Sequence, residues 1–341
     1  VMSKSCDVAI VGVTGMIADV LIDVLDDHDF SISKLHLVDE EKVAGGRLMY
    51  KGQSQRVEPL ERFDFSQVQF VVFLGSQAVA EKWVPQWLSA GCSVIDASGG
   101  SRGQVDAPMI VADANPQALS GFTAPGLVVC PDSQVVQAVL ALQPILKESG
   151  LQSVAVATYQ SMSTLDQEAV EGLALQTGRL LNGQPPEAGA LAKQAAFNLI
   201  PRTGELDEHG FTRDESRLGE DMRRVLDLPD VSVTATCVVV PVFYGTAAVL
   251  QLRTREILAV KRLATLLRKA PGVKLLDKPA DDGYPTPVTE ATGSDSVWIG
   301  RLRADPVDPH VLNMWIVSDN LRKGVVLNSL QTLRLLIKDY L

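Results

Sequence analysis

The chain has 341 residues, 46% hydrophobic and 21% charged, with a formal net charge of −10. That length accommodates two ordinary domains, and the composition is that of a globular chain. The acidic balance excludes a basic surface for nucleic acid or anionic membrane, and no run of about 18 apolar residues is present to span a bilayer.

The N-terminal residues lack a basic-then-apolar signal pattern, so the expected compartment is the cytoplasm. Val8–Val11 is a short apolar run, followed by Gly12-Val13-Thr14-Gly15-Met16-Ile17-Ala18. Val20, Leu21, Val24 and Leu25 then recur at helical spacing. Strand, glycine turn and helix in this order form the context of a dinucleotide-binding loop. Gly12 permits the tight turn, Gly15 lets the backbone approach a pyrophosphate at the helix N-terminus, and Ala18 fills the third small position. The candidate cofactor contacts here are Gly12, Thr14, Gly15 and Met16. Taken alone, such a degenerate fingerprint is a weak signal.

A second strand, Lys34 to Val38, ends at Asp39, at the distance from Gly15 where a carboxylate accepts from an adenosine ribose. Glu40 and Glu41 follow, and three carboxylates would repel a 2′-phosphate, so NAD is expected over NADP. The alternative is that Asp39 to Lys42 is a solvated acidic turn. Further strands are expected at 70–74, 93–95 and 126–129, alternating with helical pattern, which implies a parallel, doubly wound sheet. Gly75 and Ser76 supply a backbone turn near the cofactor. Arg102, in the loop after Ser93–Ile95, is placed to hold an anion; otherwise it is a solvated loop arginine.

A strand-rich region begins at Ser153 and runs to Thr158, with Tyr159 and Gln160 behind it. A helix is expected from Asp166 to Asn182, stopped by Gly183 and Pro185-Pro186. Thr236 to Gly245 reads as another strand. Cys6, Cys92, Cys130 and Cys237 stand at wide spacings in apolar contexts and the four histidines are scattered, so four buried reduced thiols and no metal site are expected.

From Gly12 to Gln331 the chain resembles the aspartate-β-semialdehyde dehydrogenase family. The segments that carry the resemblance include Tyr159-Gln160, Ala195 to Pro201, Phe211 to Arg217, Val239 to Thr246 and Asp319 to Gln331. The resemblance implies a Rossmann-like doubly wound sheet plus an α+β dimerisation and substrate domain of the semialdehyde dehydrogenase type, in a homodimer. It places the domains at 1–132 plus 318–341 and at 133–317. It also implies that Gln160 orients substrate, that Arg102 binds a phosphate or substrate anion, and that Asp214 and Arg217 line the active site. For Gln160 a structural hydrogen bond is the alternative, and for Asp214 and Arg217 a surface pair one helical turn apart. NADP-using members have Ala-Ser-x-Arg where this chain has Asp39 to Lys42, which again favours NAD.

Three reactive positions depart from the family. Its Asn-Pro-Asn-Cys nucleophile motif corresponds to Cys130-Pro131-Asp132-Ser133, so Ser133 stands where the attacking cysteine belongs. Its substrate-clamping arginine is Val239 and its histidine is Thr246. A thiol is partly ionised near neutral pH, whereas a serine hydroxyl needs a positioned base, and Thr246 is not one. Cys130 precedes the proline and reads as a packed thiol rather than a displaced nucleophile. The chain is therefore expected to be most like the Usg-type branch of catalytically defective homologues, retaining nucleotide binding and dimerisation and serving an unidentified protein partner. The alternatives are an active oxidoreductase with a different reactive group, or a purely structural dimer.

Overall fold

The computed structural model describes residues 6–187 and 189–340. The N-terminal start of the signal reading and the outermost limits of the expected first domain, residues 1–5 and 341, lie outside the described residues. In chain order the first elements are β1 (Cys6–Val11), α1 (Ile17–Asp27), β2 (Ile32–Asp39), β3 (Arg47–Tyr50), β4 (Gln53–Pro59), β5 (Phe70–Phe73), α2 (Gln77–Ser89), β6 (Ser93–Asp96) and β7 (Leu127–Val129). Next come α3 (Ser133–Ser149), β8 (Leu151–Gln160), α4 (Gln167–Leu181), α5 (Arg213–Leu226), β9 (Ser232–Val239), β10 (Thr246–Thr254), α6 (Val260–Leu267), β11 (Val273–Leu275), β12 (Val297–Ala304), β13 (Val311–Ser318) and α7 (Asn328–Tyr340).

Two compact units result, Val1–Asp132 with Val325–Leu341, and Ser133–Gly324. The return to the first unit thus falls later than the expected residue 318. Local bonding accounts for the difference. Asp319 Oδ1 accepts from the N–H groups of Leu321 and Arg322, Asp319 Oδ2 accepts from Gly293 N–H, and Asn320 Oδ1 accepts from Ser163 Oγ and Gly245 N–H.

The first unit is a seven-stranded sheet of order β3-β4-β2-β1-β5-β6-β7. Its β1, β2, β4, β5, β6 and β7 pair in parallel, as the alternating pattern predicts. The edge differs from expectation, because β3 pairs antiparallel with β4 in a hairpin. Its tight turn, Lys51-Gly52, carries both residues at positive φ. Leu330, Leu333, Leu336 and Ile337 of α7 are all buried in the same core as Val8, Ile10, Leu21 and Leu25, the inward stripe of a helix at period 3.6.

The second unit is a six-stranded mixed sheet of order β11-β12-β13-β10-β8-β9. Helix α4 starts where Asp166 caps Ala169 N–H at 2.8 Å. Helix α5 starts with a capping box between Thr212 and Glu215, and the other Glu215 oxygen accepts from Cys237 N–H at 3.0 Å, tying the helix to β9. Among the described residues no helix is long and apolar enough to cross a membrane.

Gly12 sits at φ +85°, and a Cβ there would lie 2.5 Å from the backbone nitrogen of Gly75. Both the conformation and the close approach exclude any other residue. Gly12→Ala is expected to cost at least about 1–3 kcal/mol of stability through backbone strain. Urea unfolding measures it, and an unchanged midpoint and slope would contradict this assignment.

Candidate functional site

In the first unit the chain leaves β1 through Gly12, whose N–H donates to Val38 O at 3.0 Å. Thr14 then donates twice to Asp39 Oδ2, from its backbone N–H at 2.9 Å and from its hydroxyl at 2.8 Å. Asp39 Oδ1 accepts from Glu40 N–H at 2.8 Å, and the side chain is only 6% exposed. The solvated-turn alternative for Asp39 is thereby overturned. The carboxylate is a buried clasp that ties the glycine loop to the end of β2, and three of its roughly four lone-pair sites are already used. Glu40 pairs with Lys42 and Glu41 with Arg62, so the acidic run is partly neutralised at the surface.

Gly15, at φ +69°, leads into α1, whose N-cap residue Met16 makes no side-chain capping bond. The first N–H groups of that helix are donors of the kind that cradle phosphate. Gly75 and Ser76 follow β5, with Ser76 as the N-cap of α2, again without a side-chain cap. After β6, the fully buried Asp96 organises the next loop. Its Oδ1 accepts from Ser98 N–H and Oγ, and its Oδ2 accepts from Ser101 N–H at 2.8 Å. Half-buried Arg102 closes that turn, its N–H donating to Gly99 O.

Cys130 is a packed thiol. It is 1% exposed, and burial, outweighing hydrogen bonds from Ser329 and Thr332, pushes its pKa up to about 12. Cys6 and Cys92 are likewise raised, to about 12 and about 11, by burial first. All four cysteines are buried and none is in a disulfide.

In the second unit, Ser133 opens α3 and is half-buried. A Cβ at Gly324 would meet its Cβ at 2.3 Å, so only glycine at 324 leaves room for it. One turn further along α3, Gln137 Oε1 accepts from Ser318 Oγ at 2.9 Å and, at the long limit of 3.5 Å, from Thr246 Oγ1. Gln137 Nε2 donates to Gln134 Oε1 at 2.7 Å. All four of these side chains are at least nine-tenths buried.

Sheet register explains why these residues meet. Val239 pairs with Gln160 across β9 and β8, Thr246 pairs with Ser318 across β10 and β13, and Ala247, one residue on, pairs with Tyr159. Val239, Gln160, Thr246 and Ser318 therefore form the last row on the buried face of the sheet. Val239, 1% exposed, packs in an apolar cluster with Met162, Ala195, Ala196 and Ile200. Gln160 is 6% exposed. The structure thus gathers three sequence-derived site positions, Gln160, Val239 and Thr246, at one sheet end. Asp214 and Arg217 are instead on α5; Asp214 is exposed and accepts from Thr203 Oγ1 at 3.4 Å, while Arg217 is half-buried.

Sequence reading missed Gln134, Gln137 and Ser318. Two glutamines one turn apart in the otherwise apolar stretch of α3 were the available signal, since an apolar face rarely carries unpartnered amides. The cluster is electrically neutral, with hydroxyls and amides that fix geometry and no group that takes a proton near pH 7.

Comparison with known proteins supports the fold on both units. Residues 7–122 match the family model described as semialdehyde dehydrogenase, NAD binding domain, and residues 142–323 match semialdehyde dehydrogenase, dimerisation domain. A USG-1 protein homolog of Azotobacter vinelandii is 39% identical over 338 residues, 99% of each chain. The aspartate-semialdehyde dehydrogenase of Shewanella violacea is 35% identical over 339 residues, 99% of this chain and 100% of its own. The crystal structure of aspartate semialdehyde dehydrogenase II of Vibrio cholerae complexed with ASA is similar at a TM-score of 0.95 and 34% identity, covering 99% of this chain and 100% of that one.

Thiol labelling checks the Cys130 assignment. A pKa of about 12 leaves roughly 10⁻⁴ of the thiol ionised at pH 8, so the native protein is expected to resist alkylation there, while all four cysteines label in denaturant. An unfolded thiol releases its proton near 8.5. The stability linked to this group is therefore intact below that pH and lost as pH rises toward 12. Rapid labelling of Cys130 in the folded state at pH 8 would contradict this.

Proposed function

This chain belongs to the aspartate-semialdehyde dehydrogenase family, and on that premise we propose that it has lost the family's thiol-dependent reaction while keeping nucleotide binding and dimerisation. The observation that carries this is the buried row at the end of the second unit's sheet. Val239 is absorbed into an apolar cluster and Thr246 into a neutral hydrogen-bonded one, so neither the carboxylate clamp nor the acid–base group remains. The position of the family's histidine is Thr246, which cannot act as a base for Ser133. General acid–base assistance of this kind is worth about 10²–10⁴ in rate, and a charge-assisted clamp on a carboxylate is among the stronger contacts a site makes. The similarity to proteins named USG-1 homologs supports the reading.

The first unit's residues fit a nicotinamide dinucleotide. Gly12, Thr14, Gly15 and Met16 present backbone at the uncapped start of α1, and Gly75 and Ser76 present it at the start of α2. When bound, the cofactor supplies hydride chemistry. Arg102, in the loop held by Asp96, is the candidate anion ligand of this unit; in the other, Gln160 is the candidate substrate-orienting residue and Asp214 and Arg217 are candidate lining residues. Asp39 favours NAD over NADP in two ways: its charge is buried beside the loop, and Glu40 and Glu41 extend that charge outward.

A second reading, an active oxidoreductase on another substrate, is favoured by half-buried Ser133 at the start of α3. With aspartate semialdehyde, phosphate and either nucleotide, we expect no nicotinamide reduction above a protein-free blank, in the wild type or in Ser133→Cys, since the base and clamp are still missing. Turnover that survives repurification and disappears in Ser133→Ala would contradict the main reading. Nucleotide titration followed by melting temperature is expected to show stabilisation by NAD and roughly tenfold or weaker binding of NADP, with Asp39→Asn narrowing the gap. Equal binding of both nucleotides would remove the role given to Asp39.

A further inference from the structure

Charge is unevenly placed along the chain. Residues 257–276 contain five cations, Lys261, Arg262, Arg268, Lys269 and Lys274, and no carboxylate, in a chain with 41 acidic and 31 basic residues. They lie on α6, on the turn after it and on β11, the last strand at one edge of the second sheet. All five are exposed. Helix geometry explains the exposure on α6. Leu263 and Leu267, one turn apart, are fully buried, so the opposite side of the helix turns to solvent. Lys261 and Arg268 stand two turns apart on that side, about 10 Å along the axis.

Neighbouring elements enlarge the basic face. Helix α6 packs against α3, β11 and β12. Lys147 is exposed in the last turn of α3, and exposed Arg255 precedes α6. Two carboxylates adjoin these residues in sequence, Glu148 and Glu256. Glu148 is already neutralised, because Arg262 donates to both of its oxygens, at 2.7 and 3.1 Å, and so fastens α6 to the end of α3. Arg255 Nε donates to Leu151 O at 3.3 Å, and Lys274 Nζ lies 5.0 Å from the centroid of the Trp298 ring. Lys147, Lys261, Arg268 and Lys269 have no ion-pair partner among the described residues.

Unneutralised cations on one face call for a negative complement, and two properties choose among anions. The face is short, since α6 spans only about 12 Å. With a net charge of −10, the rest of the chain is acidic, so a nucleic acid or a membrane surface would run past the face onto repelling ground. An acidic segment of about eight to ten residues would not. Ile257, just before α6, is 61% exposed, so apolar surface lies beside the charges, as it does in protein interfaces. We propose that this face docks an acidic segment of a protein partner, whose carboxylates pair with Lys261, Arg268 and Lys269. Glu148 stands about 20 Å along α3 from Ser133, so docking is separate from the buried row.

Fluorescence anisotropy tests it with a labelled peptide of about ten residues, glutamates interspersed with leucines, in about 50 mM salt. The wild type is expected to bind. The double variant Lys261→Glu with Arg268→Glu is expected to bind at least roughly tenfold more weakly, and about 0.5 M salt to weaken the wild type similarly. Lys261→Gln with Arg268→Gln reads the same face if charge reversal disturbs folding, with a loss of roughly threefold or more. Lys51→Glu, in the first unit, is expected to change nothing. No binding by the wild type, or binding that both double variants retain, overturns the proposal. Tighter binding of a labelled single-stranded oligonucleotide, or of phosphatidylserine vesicles, overturns it in favour of that anion. Salt-sensitive self-association that the double variant abolishes gives the face to a second copy, with the same consequence.

Discussion

A glutamine amide buried beneath a sheet needs partners for the protons and lone pairs it brings, and Gln137 finds them in Ser318, Thr246 and Gln134. The end of the second sheet is organised around that requirement. Because Gln137 sits one turn after Ser133 on α3, satisfying it fixes the height of the helix start over β10 and β13. The same row continues through Gln160 to Val239, where the polar partners give way to an apolar cluster. A charged residue at either 239 or 246 would need a counter-group that the row does not contain. Val239 and Thr246 thus belong to one neutral row, and the proposed loss of the family's reaction rests on that single local arrangement.

The nucleotide loop is held by a comparable constraint with a charged group. Asp39 is nearly enclosed, yet it accepts two hydrogen bonds from Thr14 and one from Glu40 N–H. A carboxylate with three donors is tolerable in such a place, whereas an unpaired one would not be. The clasp fixes the loop that α1 starts from and leaves a negative charge beside it. One residue thus sets the position of this loop and is also the one on which the proposed NAD preference rests.

Much of this was legible in the sequence. The β1–α1 turn could be read because glycine spacing and period-3.6 apolar residues are local properties, and α4 because Asp166 and Gly183 bracket it. Family resemblance located Ser133, Val239 and Thr246, but no local pattern could say that Val239 is packed rather than solvent-facing; that depends on strands and loops brought together from 162 to 239. The β3–β4 hairpin escaped because its strands are short and polar at a sheet edge, where burial imposes no alternation. Gln137 escaped because two of its partners, Thr246 and Ser318, are more than 100 residues away. Asp39 reads from sequence as a ribose acceptor, with a solvated turn as the alternative; its bonds from Thr14 escaped because only tertiary structure brings those two residues together.

Position 239 is part of the packing. The most direct measurement of this is the unfolding free energy of Val239→Arg in urea. A guanidinium forced into the cluster with Met162, Ala196 and Ile200 is an uncompensated buried charge, so a loss of about 3–5 kcal/mol is expected. A variant as stable as the wild type, within about 0.5 kcal/mol, would be typical of a surface substitution. It would show that the site still has room for the family's clamp and would contradict the account.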